Sequence, residues 1–80
     1  MKIFKLSQSV NNEYDTFDSI VVIAENEEDA RTIHPLGNDF VENTFSSSWV
    51  MSIADIQVTY IGEADPSLDR GVVLASFNAG

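Results

Sequence analysis

The segment Ser19-Ile20-Val21-Val22-Ile23-Ala24-Glu25 constrains the fold most. It is β-branched and apolar on both faces, the pattern of a central, covered strand rather than an edge. Such a strand needs neighbours on both sides, and the chain supplies three more candidates. Residues 2–10 alternate, with Phe4, Leu6 and Val10 on one face and Lys5, Ser7 and Ser9 on the other. Residues 56–62 alternate in the same way, and residues 71–77 form another apolar run. One helix start is legible. Asn26 is a good N-cap, Glu27 and Glu28 suit the positive end of the dipole, and Asp29 stands three residues on. Asp29 is shorter than the usual partner in a capping box. Ala30 and Ile33 share a helical face, and His34-Pro35 closes the segment after about two to three turns.

The order β-β-α-β-β predicts an α+β fold, a mostly antiparallel four-stranded sheet with one helix on a face. Eighty residues are read as a single domain, 1–80. Residues 11–18 read as a polar connecting loop. Residues 36–55 are irregular, with a turn at Gly37-Asn38-Asp39, a serine run at 46–48, and Phe40, Phe45, Trp49 and Ile53 between and after them. A segment this aromatic is expected to fold over the core, as a short helix or an extra strand. Asp65-Pro66 and Gly71 mark a turn or a short helical turn between the last two strands.

Thirteen acids stand against four basic residues, for a net charge of -9. This repels phosphate backbones and anionic membranes, so direct nucleic-acid and membrane binding are not expected. The fitting partner is a protein with a basic surface. The longest apolar run, Ile20 to Ala24, is far below the about 20 residues of a membrane span. The first residues enter a strand pattern rather than a signal core, so a cytoplasmic location is expected. Without cysteine there is no disulfide framework and no Cys-ligated metal.

Neither catalytic nor cofactor chemistry stands out. His34 is the sole histidine, and reads as a residue near a helix end rather than a general base; no glycine-flanked nucleophile elbow accompanies Ser46 to Ser48. Glu63, Asp65 and Asp69 lack a calcium-loop rhythm, and no metal or cofactor is expected. The four glycines are scattered, so no phosphate cradle is present. The acids themselves remain. Glu25, Glu27, Glu28 and Asp29 surround the helix start, and Glu13, Asp15 and Asp18 form a second cluster beside Tyr14 and Phe17. Together with Trp49, these acids are the candidate partner-binding residues. Capping and solubility account for the same acids in the blander reading, and the aromatics serve equally as a lid over a small core.

Five stretches stand out together: Lys2-Ile3-Phe4-Lys5-Leu6, the run Ala24-Glu25-Asn26-Glu27-Glu28-Asp29-Ala30-Arg31 with Ile33-His34-Pro35, the lone Trp49, Tyr60-Ile61-Gly62-Glu63-Ala64-Asp65, and the tail from Gly71 to Gly80. In these the chain resembles a family of short acidic proteins encoded by tailed phages and prophages. The resemblance spans nearly the whole chain, least well at 36–55, and carries over no site residues. It implies the cytoplasm of an infected or lysogenic bacterial host. It also implies a non-enzymatic accessory protein that blocks a host protein, in its sharpest form an anti-defence, anti-CRISPR-like inhibitor. Two alternatives accompany it. One is a binder sequestering a nucleotide defence signal, with Trp49, His34 and Arg31 or Arg70 converging on a cleft. The other is a minor structural or oligomerising phage protein, for which exposed sheet edges allow a homodimer.

Overall fold

The computed structural model describes residues 1–12, 15–41 and 48–78. It contains the expected α+β arrangement: β1 (Lys2–Ser7), β2 (Thr16–Ala24), α1 (Glu27–Arg31), a 3-10 turn at Ile53–Asp55, β3 (Gln57–Glu63) and β4 (Gly71–Asn78). The four strands form one antiparallel sheet in the order β3-β1-β2-β4. The β1–β2 hairpin is thus the centre, and β3 and β4 are the two edges.

Register separates the two faces. Phe4 lies opposite Val22 and Leu6 opposite Ile20, and on the outer strands Val58, Val72 and Ala75 continue the same side. Cross-strand partners share a face, so this face is continuous across all four strands. α1 contributes Ala30 to it, and the following turn adds Ile33. Trp49, Val50 and Ile56 close the cluster from the segment before β3. Five residues of helix are too few to hold alone; packing onto the sheet holds them.

The other face carries Ile3, Lys5, Ser7, Ser19, Val21, Leu74 and Ser76 by register. The double-sided apolar pattern of β2 suggests cover on both sides. Here Ile23 is buried outside the main cluster, Val21 is half-buried, and Leu74 is exposed.

Two expectations need correction. The first strand ends at Ser7, not at residue 10, and Val10 is 61% exposed rather than inward. Gln8 takes the next inward position, and its side chain turns the backbone. Oε1 accepts from Val10 N and Asn11 N, while Nε2 donates to the carbonyls of Asn11 and Phe17.

The helix is also shorter than its periodicity suggests. Thr32 N and Thr32 Oγ1 both donate to the carbonyl of Asp29, and Ile33 N donates to Ala30. Such local hydroxyl bonds compete with helix continuation. The chain then reverses, with Ile33 bridging Asp39 and Phe40 N donating to Thr32 O. Gly37, at φ 93°, supplies the left-handed residue that this reversal requires.

In the irregular stretch, the described part holds the single 3-10 turn, capped by Ser52 Oγ accepting from Ala54 N. Residues 42–47, which include Phe45, Ser46 and Ser47, lie outside the described residues. The Asp65-Pro66 turn forms as expected, its Asp65 carboxylate accepting from the Ser67 backbone and hydroxyl. No helix among the described residues is long and apolar enough to cross a membrane.

Candidate functional site at the start of the helix

Asn26 caps α1 in extended geometry, and its Oδ1 accepts from Asp29 N at 2.8 Å. Asp29 reciprocates, but one residue earlier than the usual box: its Oδ2 accepts from Glu25 N at 3.0 Å. The cap is two-way.

Arg70, from the loop that crosses between the two sheet edges, completes the arrangement. Its Nε and Nη2 donate to both oxygens of Asp29 at 2.9–3.1 Å, and Nη2 also reaches Thr32 Oγ1 at 2.9 Å. Two-pronged guanidinium–carboxylate contacts are among the stronger charge-assisted bonds. The Arg70 guanidinium therefore holds the Asp29 carboxyl below its usual range, and burial opposes this only in part. The pair is partly exposed, with side-chain accessibilities of 39% and 25%, so solvent screening limits its worth.

The other helix arginine is committed as well. Arg31 Nη2 pairs with Glu27 at 3.2 Å, while Nη1 donates to the carbonyls of Ile53 and Ile56. The four acids of the first cluster thus divide by role. Asp29 and Glu27 tie arginines that hold the helix to the rest of the fold. Glu25 and Glu28 are exposed, and Glu27 and Glu28 also line a shallow recess with Asn26 and Arg31.

The second cluster stands elsewhere. Asp18 is exposed near the N-terminal end of β2. The Ser76 hydroxyl, its own and the Ser19 backbone N–H, and the Lys5 charge together hold its carboxyl low against a small burial penalty. Asp15 sits in the preceding loop with φ 62°, and Glu13 and Tyr14 lie outside the described residues. Glu25 follows the opposite end of the same nine-residue strand. At ~3.3 Å per residue the two clusters are on the order of 25–30 Å apart. They are two surfaces and not one.

Trp49, expected among the partner contacts, is 1% exposed inside the core. Its Nε1 is the one buried side-chain polar atom among the described residues without a hydrogen-bond partner. Its carbonyl accepts from Asn11 Nδ2, and the neighbouring Ser48 carbonyl accepts from Phe17 N. The indole therefore closes the core beneath the first hairpin. Phe17 is also a core residue, its ring 4.8 Å from that of Phe77.

His34 is buried in the turn after α1, and its Nδ1 accepts from Leu36 N at 3.1 Å. That bond assigns the proton of the neutral ring to Nε2. Burial lowers the His34 pKa below its ordinary 6.5. As pH falls through about 6.5, the unfolded chain takes up this proton first, so stability declines until the lower folded value is reached. Denaturant midpoints between about pH 8 and about pH 5 should therefore fall for the wild type and stay flatter for His34→Gln. The stabilisation held by Asp29 and Asp18 is lost only at lower pH, because both are depressed below 3.8.

Two further carboxylates serve local contacts. Glu63 accepts from the Tyr60 hydroxyl at 2.7 Å, and Asp65 caps its own turn. No group of three ligating side chains among the described residues could hold a metal ion. The organising roles of Gln8, Arg31 and Arg70 are the features that sequence reasoning missed. A usable signal existed for the arginines: two guanidinium groups in so acidic a chain are certain to meet carboxylates. Comparison with family models, with curated proteins and with solved structures returns no match to this chain.

Proposed function

We propose that the chain is a non-enzymatic phage accessory protein. It occupies a basic surface on a host protein through the acids at the start of α1, and its sharpest form is an anti-defence inhibitor of the anti-CRISPR kind. The observation that carries this reading is the division of labour around Asn26. Arg31 and Arg70 are drawn into internal contacts with Glu27 and Asp29, which fixes the helix and leaves Glu25 and Glu28 outward on a rigid frame. Fixed acids on a charged surface speed encounter with a basic partner, and the attraction weakens with salt.

A ligand-sequestering function draws less support. The groups it would gather are dispersed: His34 and Trp49 are buried, and both arginines are committed to carboxylates.

The test spares the two acids bonded to arginine. Glu25→Lys combined with Glu28→Lys should leave the thermal transition within a few degrees of wild type, while slowing association with a captured partner about tenfold at low salt. The partner should be a bacterial protein released by a salt gradient. A partner that binds the double variant as fast as wild type, with no salt dependence, would refute the acidic-surface reading.

A further inference from the structure

β4 is an edge strand, so alternate backbone N–H and C=O groups along Gly71–Asn78 face away from β2. Natural edges are commonly blunted by charge, proline or a bulge. β4 has no charged residue and no proline along its length, although Val73, Leu74 and Phe77 are 58%, 67% and 48% exposed. The other edge, β3, ends in Glu63, and its register slips around Ile61, which breaks it in mid-strand. β4 carries one inserted residue early, at Val73, and its pairing with β2 slips again between Ser76 and Phe77, where Asp18 is the extra residue on β2; Leu74–Asn78 itself holds no inserted residue.

The charge distribution selects the occupant. A chain with net charge -9 repels its own copies over most of its surface. The charged residues on the strands are Lys2, Lys5, Asp18 and Glu63, and none is on β4. The nearest of these acids, Asp18, is bonded to Ser76 and has Lys5 beside it. A basic protein would be drawn to the acids at α1. An uncharged apolar edge suits a strand that is uncharged too.

We infer that β4 pairs antiparallel with β4 of a second copy, about a twofold axis at Ser76. The regular run then matches itself. Ser76 lies opposite Ser76, and Ala75 of each copy lies opposite Phe77 of the other. Ala75 and Phe77 are on the helix-covered face, so a half-exposed aromatic ring covers a small residue on each side of the axis. The product is a continuous eight-stranded sheet with both helices on one face. This pairing is independent of the acidic surface at α1 and uses none of its residues.

Because the chain has no cysteine, a single new thiol reports the contact. Directly opposed residues of an antiparallel pair have Cα atoms about 4.5–5.5 Å apart, within disulfide range. Oxidised Ser76→Cys should run as a covalent dimer on a denaturing gel, and Thr59→Cys on β3 should run there as a single uncross-linked chain under the same conditions. Light scattering should give wild type twice the 8.8 kDa of one chain. Leu74→Lys, at an exposed position, should give one chain mass with an intact fold by circular dichroism. A wild type that is monomeric at all concentrations overturns the inference. So does a dimer that survives Leu74→Lys, or Ser76→Cys cross-linking no better than Thr59→Cys.

Discussion

Trp49→Ala should unfold a large fraction of the protein under mild denaturant, at a cost of about 3–5 kcal/mol. A domain of this size has only about 5–10 kcal/mol in total. The indole is the largest fully buried side chain, and it belongs to the core cluster that includes Phe17, Val50 and Ile56. Removing it leaves a cavity that a sheet on one side and a pinned backbone on the other cannot readily collapse. The pins are the bonds from Asn11 Nδ2 to Trp49 O and from Phe17 N to Ser48 O. Trp49→Phe separates the ring from its N–H. Since Nε1 has no acceptor, phenylalanine forfeits volume but also removes a buried donor whose desolvation costs about 1–3 kcal/mol. The two effects nearly offset, so Trp49→Phe should retain most of the stability lost by Trp49→Ala. Urea titrations followed by circular dichroism check both. Equal losses for the two variants would mean that the indole N–H is satisfied in solution.

Strands were the legible part of this chain, because alternation and β-branching report a pleated surface one residue at a time. β2, β3 and β4 stand within a few residues of where Ile20 to Ile23, Val58 and Tyr60, and Val72 to Leu74 place them. The failures share a cause: a local polar contact outbid a periodic pattern. Thr32 closed the helix before His34-Pro35 could, and Gln8 ended β1 before Val10 could turn inward. Neither contact has a period. The apolar residues on both faces of β2 mark it as central and covered, without saying how many layers lie over it. Only one is supplied by α1 and the segment around Trp49, and the other side is a sheet surface of Ile3, Val21 and Leu74.

The acidic site was legible as composition but not as geometry. Counting charges treats Glu25, Glu27, Glu28 and Asp29 as equals. The structure gives Asp29 a bidentate arginine from 41 residues away and Glu27 an arginine one turn on. The partner of Asp29 is set by the crossing of the β3–β4 loop, and a chain order alone does not place Arg70 beside α1. Charge reversal across Glu27, Glu28 and Asp29 together would confound binding with folding. For that reason Glu25 and Glu28 are the informative positions.

Gln8 carries the other large expected effect, and it tests whether a single side chain can terminate a strand. The residue is 6% exposed, and its amide makes four bonds, three to backbone groups of the β1–β2 connection and one to the Phe17 carbonyl in β2, at 2.7–3.0 Å. At a net value of about 0.5–1.5 kcal/mol per bond, Gln8→Leu should cost about 2–6 kcal/mol despite similar volume. Gln8→Glu isolates the donors. It keeps an acceptor for Val10 N and Asn11 N, but turns the other oxygen toward the carbonyls of Asn11 and Phe17. A carboxyl there is favoured in its protonated form, which restores one donor. Its folded pKa then exceeds the unfolded value of about 4.3, so its stability is greatest at low pH and is lost as pH rises through that range. Gln8→Glu should therefore show a denaturant midpoint that improves relative to wild type on acidification, opposite to the trend set by His34. A Gln8→Glu variant as stable as wild type near neutral pH would show that the turn is held by backbone and packing, with the amide merely resident in it.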